Sequence, residues 1–142
     1  MKEYTINDIS VGMTESFQRQ ITLEMENAFR EISGDQNPLH RDDEYARSIG
    51  EGKFHQHVSF GMLTASLYST LAGMYLPGKY SLIHSFDELA FVKPVYVGDV
   101  LTVTGQVIDK DMALGLIRLK VKINNQDNKI VSKAKMKVLI MN

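Results

Sequence analysis

The stretch that decides the fold of this chain is Ser59 to Tyr75, which reads SFGMLTASLYSTLAGMY. It contains no charged residue, and its apolar residues leave no continuous polar face, so it is not typical of a surface helix. A strand of this length is unusual, and a membrane-spanning helix needs roughly 20 apolar residues. Small residues recur along the stretch and allow a sheet to pack closely against it. It therefore predicts a buried central helix over about 59–75, closed by Pro77-Gly78.

The composition is that of one ordinary globular domain over residues 1–142. The 16 Lys and Arg are balanced by 17 Asp and Glu, which argues against a nucleic-acid-binding protein because phosphate recognition needs a basic field. The chain has no cysteine, which excludes disulfides, thiolate catalysis and cysteine-based zinc sites. The first residues, MKEYTINDIS, lack an apolar signal core. We therefore expect a cytoplasmic protein without a membrane or nucleic-acid partner.

Two shorter helices are predicted before the central one. Thr22 offers an N-cap hydroxyl for the first, and Gly34 is well placed just past its end. A second, shorter helix follows, capped by Asp42 or Asp43. The apolar residues of the first helix recur at steps of three and four, which predicts one buried stripe made of Met25, Ala28, Phe29 and Ile32.

Strands are predicted before the first helix, over 17–21, and again after the central helix. The later ones fall at about 81–93, 101–108 and 116–123, with a last one near the end of the chain. The final two alternate cleanly and are joined by a polar turn, which predicts a hairpin. Their inward residues are expected to be Ile117, Leu119, Val121, Ile123, Ala134, Met136, Val138 and Ile140.

One uncharged helix combined with antiparallel strands predicts an α+β domain in which the sheet wraps around the helix. Such a sheet leaves exposed strand edges, and pairing two edges in a homodimer is one way to cover them. The lysines on the outer face of the last two strands predict a solvated surface in preference to a nucleic-acid patch, and one that can equally attract an anionic carrier. They are Lys120, Lys122, Lys133, Lys135 and Lys137.

The first chemical candidate is the pair Asp35 and His40, which lie five residues apart in a segment that Pro38 keeps out of a helix. A carboxylate can hold an imidazole in one tautomer or share a water molecule with it, and histidine titrates near neutral pH. The pair therefore suits general acid–base chemistry. A structural role accounts for the same residues: Asp35 caps a turn, Asn37 makes an Asx-turn and His40 caps the following helix.

The second candidate is Gly61 at the start of the central helix. Backbone N–H groups at a helix N-terminus can stabilise negative charge that develops on a carbonyl oxygen, and glycine allows close approach. Close packing of helix and sheet explains the same glycine. Ser69 is a weaker candidate, because a serine inside a buried helix usually bonds a carbonyl of the preceding turn. His55 and His57 lie in a loop where no carboxylate or cysteine pattern completes a metal site, so we expect none.

Several segments spread over almost the whole chain carry a family resemblance. They are Val11-Gly12, the helix around Ala28-Phe29, Ser33-Gly34-Asp35-Gln36-Asn37-Pro38-Leu39-His40, Gly61-Met62-Leu63 with Ala65-Ser66-Leu67, Leu76-Pro77-Gly78, and Phe91-Val92-Lys93-Pro94-Val95 with Val97-Gly98-Asp99. In these segments the chain resembles the MaoC-like hydratases, the (R)-specific enoyl-CoA hydratase or "hydratase 2" family, which have the hot-dog fold. One departure is Phe60, because the family usually has histidine directly before the helix-opening glycine.

The resemblance implies a catalytic Asp35 and His40, a thioester-polarising amide at Gly61, and further substrate-binding roles for Asn37 and Ser69. It also implies a homodimer with acyl-thioester sites near the subunit interface.

The function we expect is that of a hydratase which adds water to a trans-2-enoyl thioester, or removes it from an (R)-3-hydroxyacyl thioester. The carrier of the acyl group is coenzyme A or an acyl-carrier protein, and no metal or redox cofactor is expected. One alternative is a hot-dog thioesterase that attacks the carbonyl carbon and releases a free thiol. Another is a non-catalytic acyl-thioester-binding module that binds the ligand without turnover.

Overall fold

The structure is a computed structural model that describes residues 1–142, and it contains three α-helices and five strands. The helices are α1 (Leu23–Ser33), α2 (Asp43–Ile49) and α3 (Gly61–Thr70), and α3 continues into a π-helical turn (Leu71–Tyr75). The strands are β1 (Thr14–Gln20), β2 (Ser81–Phe91), β3 (Val100–Asp111), β4 (Leu116–Asn124) and β5 (Ile130–Ile140). None of the helices is both long and apolar enough to cross a membrane.

The five strands form one antiparallel sheet in the order β1-β3-β4-β5-β2. The predicted hairpin is present, because β4 pairs with β5 in a register that sets Val121 opposite Ala134. The residues predicted to face inward on these two strands are all buried. Strict alternation of apolar and charged residues was a reliable guide here, since one face of each strand must enter the core.

The helix α3 lies against the concave face of the sheet, so the predicted α+β arrangement is confirmed. Tyr68 and Leu71 are fully buried in the core, and the Tyr68 hydroxyl donates to Ser132 Oγ on β5 (2.9 Å). Burial raises the pKa of Tyr68 to about 12, so the phenol stays neutral and acts as a packing group. The sheet approaches closely at Gly105, where an added Cβ would come within 2.7 Å of the Leu71 side chain.

The predicted bounds of the central helix need correction. The chain is extended at Phe60 and becomes helical only at Gly61, and regular α-helix stops at Thr70. The last five residues of the predicted helix form the π-helical turn. The helix opens without a side-chain cap, because Phe60 at the N-cap position has no side-chain acceptor to offer.

The buried stripe predicted for α1 is also wrong. Ala28 and Ile32 are exposed, the latter with 84% of its surface accessible, whereas Met25 and Phe29 are half-buried. The fully buried residue of this helix is Glu26, with 0% exposure. The predicted ends are correct, however. Thr22 Oγ1 accepts from the Met25 N–H (3.2 Å), and Gly34 ends the helix in the left-handed conformation with φ 72°. The predicted Asp42 cap of α2 is present as well.

Candidate active site

The segment from Asp35 to His40 is shaped by two consecutive side-chain turns. Asp35 Oδ1 accepts from the Asn37 N–H (2.9 Å), and Asn37 Oδ1 accepts from the Leu39 N–H (2.9 Å). The Asx-turn expected at Asn37 is therefore present, and Pro38–His40 forms a single 3₁₀ turn behind it. These bonds hold the backbone that carries His40 in one conformation.

One hydrogen bond defines the state of the His40 imidazole. Its Nδ1 lies 2.7 Å from the carbonyl oxygen of Val58. Since a carbonyl oxygen only accepts, Nδ1 must carry the proton, and Nε2 of the neutral ring is then the nitrogen with a free lone pair. A neutral imidazole with this tautomer can accept a proton at Nε2.

A cavity of about 340 Å³ lies beside His40 at the start of α3. Gly61 and His40 both line it, so two of the residues singled out from the sequence share one cavity. The rest of its wall combines apolar side chains with two hydroxyl residues and one lysine: Phe54, Val58, Ser59, Thr64, Phe91, Val92, Lys93, Pro94, Val95 and Val131. The Gly61 N–H has no acceptor within α3, because it belongs to the first turn of a helix that no side chain caps.

Gly61 also serves packing, because an added Cβ would lie 3.3 Å from the Phe91 ring. The two interpretations of this glycine are compatible. The same absence of a side chain admits the Phe91 ring and leaves the amide open to a ligand in the cavity.

Two hydroxyl groups of the cavity wall were not predicted from the sequence. Ser59 is 3% exposed and Thr64 is 1% exposed, yet neither hydroxyl has a hydrogen-bond partner within the chain. Buried polar groups in proteins are nearly always paired, so unpaired hydroxyls lining a cavity are suited to bind a ligand. For Thr64 a signal was present in the sequence, because it follows Gly61 by three residues and so lies on the same face of the helix.

The other predicted site residues lie outside this cavity wall. Asp35 and Asn37 are exposed, and no hydrogen bond joins Asp35 to His40. Ser69 is exposed on α3, and the serine that bonds a carbonyl of the preceding turn is Ser66, through Leu63 O (2.6 Å). In the single chain, the structure thus brings together His40 and Gly61 but not Asp35, Asn37 or Ser69.

Phe60 departs from the family pattern, and its ring packs against His40. It is 2% exposed and lies 4.4 Å from the His40 ring and 4.9 Å from the Phe29 ring, measured between centroids. The Arg30 guanidinium lies 5.5 Å from the same ring. Phe60 therefore supports the imidazole by packing and is not part of the cavity wall.

His57 also has a role that the sequence did not reveal. Its Nε2 lies 2.9 Å from Glu26 Oε1 and its Nδ1 lies 2.6 Å from Asp43 Oδ1. Because the two carboxylates bind opposite nitrogens of one ring, the three groups do not converge on a common point as metal ligands would. His55, the other loop histidine, packs against Tyr96 with ring centroids 4.0 Å apart.

The sequence model of the MaoC-like domain family matches residues 8–131 of this chain. The chain belongs to the MaoC-like domain family. Among its MaoC-like relatives, an (R)-specific enoyl-CoA hydratase from Rhodospirillum rubrum is 34% identical over 107 residues, covering 72% of each chain. A 3-hydroxybutyryl-CoA dehydratase from Methylorubrum extorquens is 32% identical over 102 residues, covering 72% of this chain and 62% of the relative.

Solved structures agree with the MaoC-like assignment. An (R)-hydratase from A. caviae superposes with a TM-score of 0.85 at 30% identity, covering 93% of this chain and 97% of that one. In the sequence comparison, an (R)-specific enoyl-CoA hydratase from Aeromonas caviae is 44% identical over a matched segment that spans 57% of its length. The single sheet wrapped around a central helix is thus the hot-dog fold predicted from the resemblance.

Proposed function

We propose that this MaoC-like chain is an (R)-specific enoyl-thioester hydratase that adds water reversibly to trans-2-enoyl thioesters. The observation that carries the proposal is the shared cavity of His40 and Gly61. One wall offers an imidazole whose Nδ1 is fixed on the Val58 carbonyl, and another offers an uncapped helix N-terminus. A base and an electrophilic amide on one cavity are the two groups that conjugate addition to a thioester requires.

The proposed mechanism needs one water molecule and no other reactant. His40 Nε2 takes a proton from the water as the water oxygen bonds to the β-carbon of the substrate. Asp35 lies outside the cavity wall in the single chain, and its proposed role is to act with His40 on the same water. The electrons of the C=C bond move toward the thioester oxygen, where the Gly61 N–H and the positive end of α3 stabilise the enolate. The proton taken from water then passes to the α-carbon. A hydrogen and a hydroxyl have been added across the double bond, so no redox group is needed.

The cavity is the proposed binding site of the acyl thioester. Its apolar wall suits the acyl chain, while the unpaired hydroxyls of Ser59 and Thr64 offer hydrogen bonds to the polar end of the ligand. Lys93 gives the wall its one positive charge, which is suited to the phosphate groups of coenzyme A or of the prosthetic group of an acyl-carrier protein.

The cytoplasm remains our proposal for the cellular compartment of this protein, because a chain without cysteine forms no disulfide and gains nothing from an oxidising compartment.

We further propose that the active form is a homodimer joined through β2. This strand is one of the two sheet edges, and it exposes Leu82 and Phe86, with 52% and 37% of their surfaces accessible. The cavity adjoins the same edge, because Phe91 at the end of β2 and the following Val92 both line it. A second copy on this edge would therefore lie next to the cavity wall formed by Phe91 and Val92.

Incubation with crotonyl-CoA tests the activity and separates it from the alternatives. A hydratase removes the absorbance of the conjugated enoyl thioester while the concentration of free thiol stays constant. A thioesterase releases free thiol, and a binding module does neither. Thiol release that keeps pace with the loss of absorbance would contradict the proposal.

A further inference from the structure

The buried carboxylate of Glu26 is the least expected feature of the molecule outside the cavity. It is 0% exposed, its Oε1 bonds His57 Nε2 (2.9 Å), and its Oε2 has no hydrogen-bond partner within the chain. Burying a carboxylate is costly unless it is paired, and an incompletely paired one is costlier still. A buried polar atom without a partner is rare in proteins and calls for an explanation.

His57 is held at both ring nitrogens. Asp43 Oδ1 lies 2.6 Å from His57 Nδ1 and also accepts the His57 backbone N–H (2.9 Å), while Glu26 Oε1 faces Nε2. Carboxylates only accept, so both bonds form at once only when the imidazole is protonated. Burial opposes that proton, but the hydrogen bonds and charges of Asp43 and Glu26 outweigh burial and raise the pKa of His57.

The charged groups near His57 come from two helices. Glu26 and Arg30 are on α1, and Asp43 and Arg47 are on α2. The arginines oppose a charged imidazole but have other partners, since Arg30 donates to His40 O (3.0 Å) and Arg47 donates to His55 O (2.8 Å). The two carboxylates are the groups in direct contact with the ring.

His57 is connected to His40 through a single backbone residue. Val58 follows His57, its N–H donates to Leu39 O (3.0 Å), and its carbonyl accepts from His40 Nδ1 (2.7 Å). The position of the carbonyl that fixes the His40 tautomer therefore depends on the position of His57. Glu26 and Asp43 in turn fix His57 to α1 and α2.

We propose that Glu26, His57 and Asp43 form a positioning triad that holds the Val58 carbonyl on His40 Nδ1 and so keeps His40 Nε2 available as the base. The inference rests on the proposed role of His40 in catalysis. His57 does not line the cavity and acts only through Val58. The triad is intact while His57 is protonated, so the hydration rate should fall on the alkaline side as His57 loses its proton.

Stability should follow the same protonation. Because the pKa of His57 is raised in the folded protein, the contribution of the triad to stability is fully present below the unfolded value of about 6.5. It is lost as the pH rises through the raised value. The pKa of Asp43 is lowered by its bonds from the His57 backbone and ring, so its contribution is present above the unfolded value of 3.8 and is lost as the pH falls through the folded value.

The test compares His57→Gln with the control His55→Gln in the full chain. His57→Gln should lower kcat for crotonyl-CoA hydration about 10- to 100-fold, the range typical of residues that orient a reacting group, with KM changed less than about twofold. The variant should also abolish the fall in hydration rate at alkaline pH that the deprotonation of His57 causes in the wild type. His55→Gln should keep the wild-type kcat and pH profile. Loss of stability alone, with an unchanged kcat and profile, would overturn the proposal.

Asp43→Asn provides a second variant in case His57→Gln does not fold, because Asp43 is exposed and the change keeps its size. It should move the alkaline limb of the pH–rate profile to lower pH, and an unmoved limb would count against the triad.

Nitrogen NMR of the His40 ring gives a readout that needs no activity. The wild type should show Nδ1–H alone, and His57→Gln a mixture of tautomers. A protein with no hydratase activity but this tautomer change would overturn the proposed function and keep the triad.

Discussion

At the scale of single residues, the Nδ1–H bond from His40 to the Val58 carbonyl (2.7 Å) determines which nitrogen can take a proton. His40 was singled out from the sequence because Pro38 keeps its segment out of a helix and Asp35 lies five residues before it, and its role in catalysis stays a prediction. The hydrogen-bond partner of His40 could not be predicted from the sequence, because Val58 lies 18 residues away in a loop. Glu26 and His57 were missed for the same reason: burial of a charged group depends on partners from other elements.

The pair Asp35 and His40 should behave as one unit. Asp35→Asn and His40→Ala should each lower the hydration rate by roughly two to four orders of magnitude, the span typical of a positioned acid–base group. The double variant should be little slower than the slower single variant, because both groups act on the same water molecule. Steady-state kinetics measures this, with circular dichroism to verify folding. Fully multiplicative losses would show that the two residues act independently.

Thr64 should contribute to binding at the expense of stability. Its buried hydroxyl has no partner within the chain, so Thr64→Val should raise the free energy of unfolding by about 1 kcal/mol. The same change should weaken binding of a saturated acyl-thioester analogue about 5- to 10-fold, through loss of one hydrogen bond. Urea unfolding and calorimetric titration measure the two effects. Ser66→Ala is the control, since that hydroxyl is satisfied by Leu63 O. Unchanged analogue affinity in Thr64→Val would exclude Thr64 from the binding site.

At the scale of elements, strands were easier to predict than the faces of helices. Alternation in β4 and β5 allows only one choice of inward face, and the sheet adopts it. For α1, the three- and four-residue spacing of apolar residues indicated the wrong face. In the structure Met25 packs against the core, while Glu26 bonds His57 and Arg30 lies over the Phe60 ring, so α1 also turns polar residues toward the interior. Ile32 is left exposed as a result.

The outer face of the sheet carries like charges in direct opposition. Lys122 on β4 is paired in register with Lys133 on β5, and neither takes part in a salt bridge. Lys122→Glu should therefore raise the free energy of unfolding by about 0.5 to 1 kcal/mol, by replacing repulsion with an ion pair. The gain should shrink in high salt, as measured by urea unfolding. Lys122→Gln removes only the repulsion and should raise the free energy of unfolding by a smaller amount than Lys122→Glu. No gain from either variant would mean that the lysines do not interact.

At the scale of the whole molecule, the cavity and the β2 edge lie side by side, which ties the proposed activity to the proposed dimer. Phe86→Glu places a charge on that edge and should shift the protein toward monomer, because burying an unpaired carboxylate in the interface is costly. Light scattering at micromolar concentration measures the shift. Leu114→Glu alters an equally apolar residue in the β3–β4 turn, 67% exposed, and should leave the dimer intact. A wild-type protein that is a monomer at these concentrations would refute the dimer.

The most direct test of the whole account is the stereochemistry of the product. The purified protein is incubated with crotonyl-CoA in water, and the 3-hydroxybutyryl group is analysed on a chiral column. The (R) enantiomer is expected in large excess, and the Asp35→Asn, His40→Ala double variant purified in the same way should form product at least about 100-fold more slowly. The (S) enantiomer, a racemic product, or equal hydration by the double variant would contradict the account.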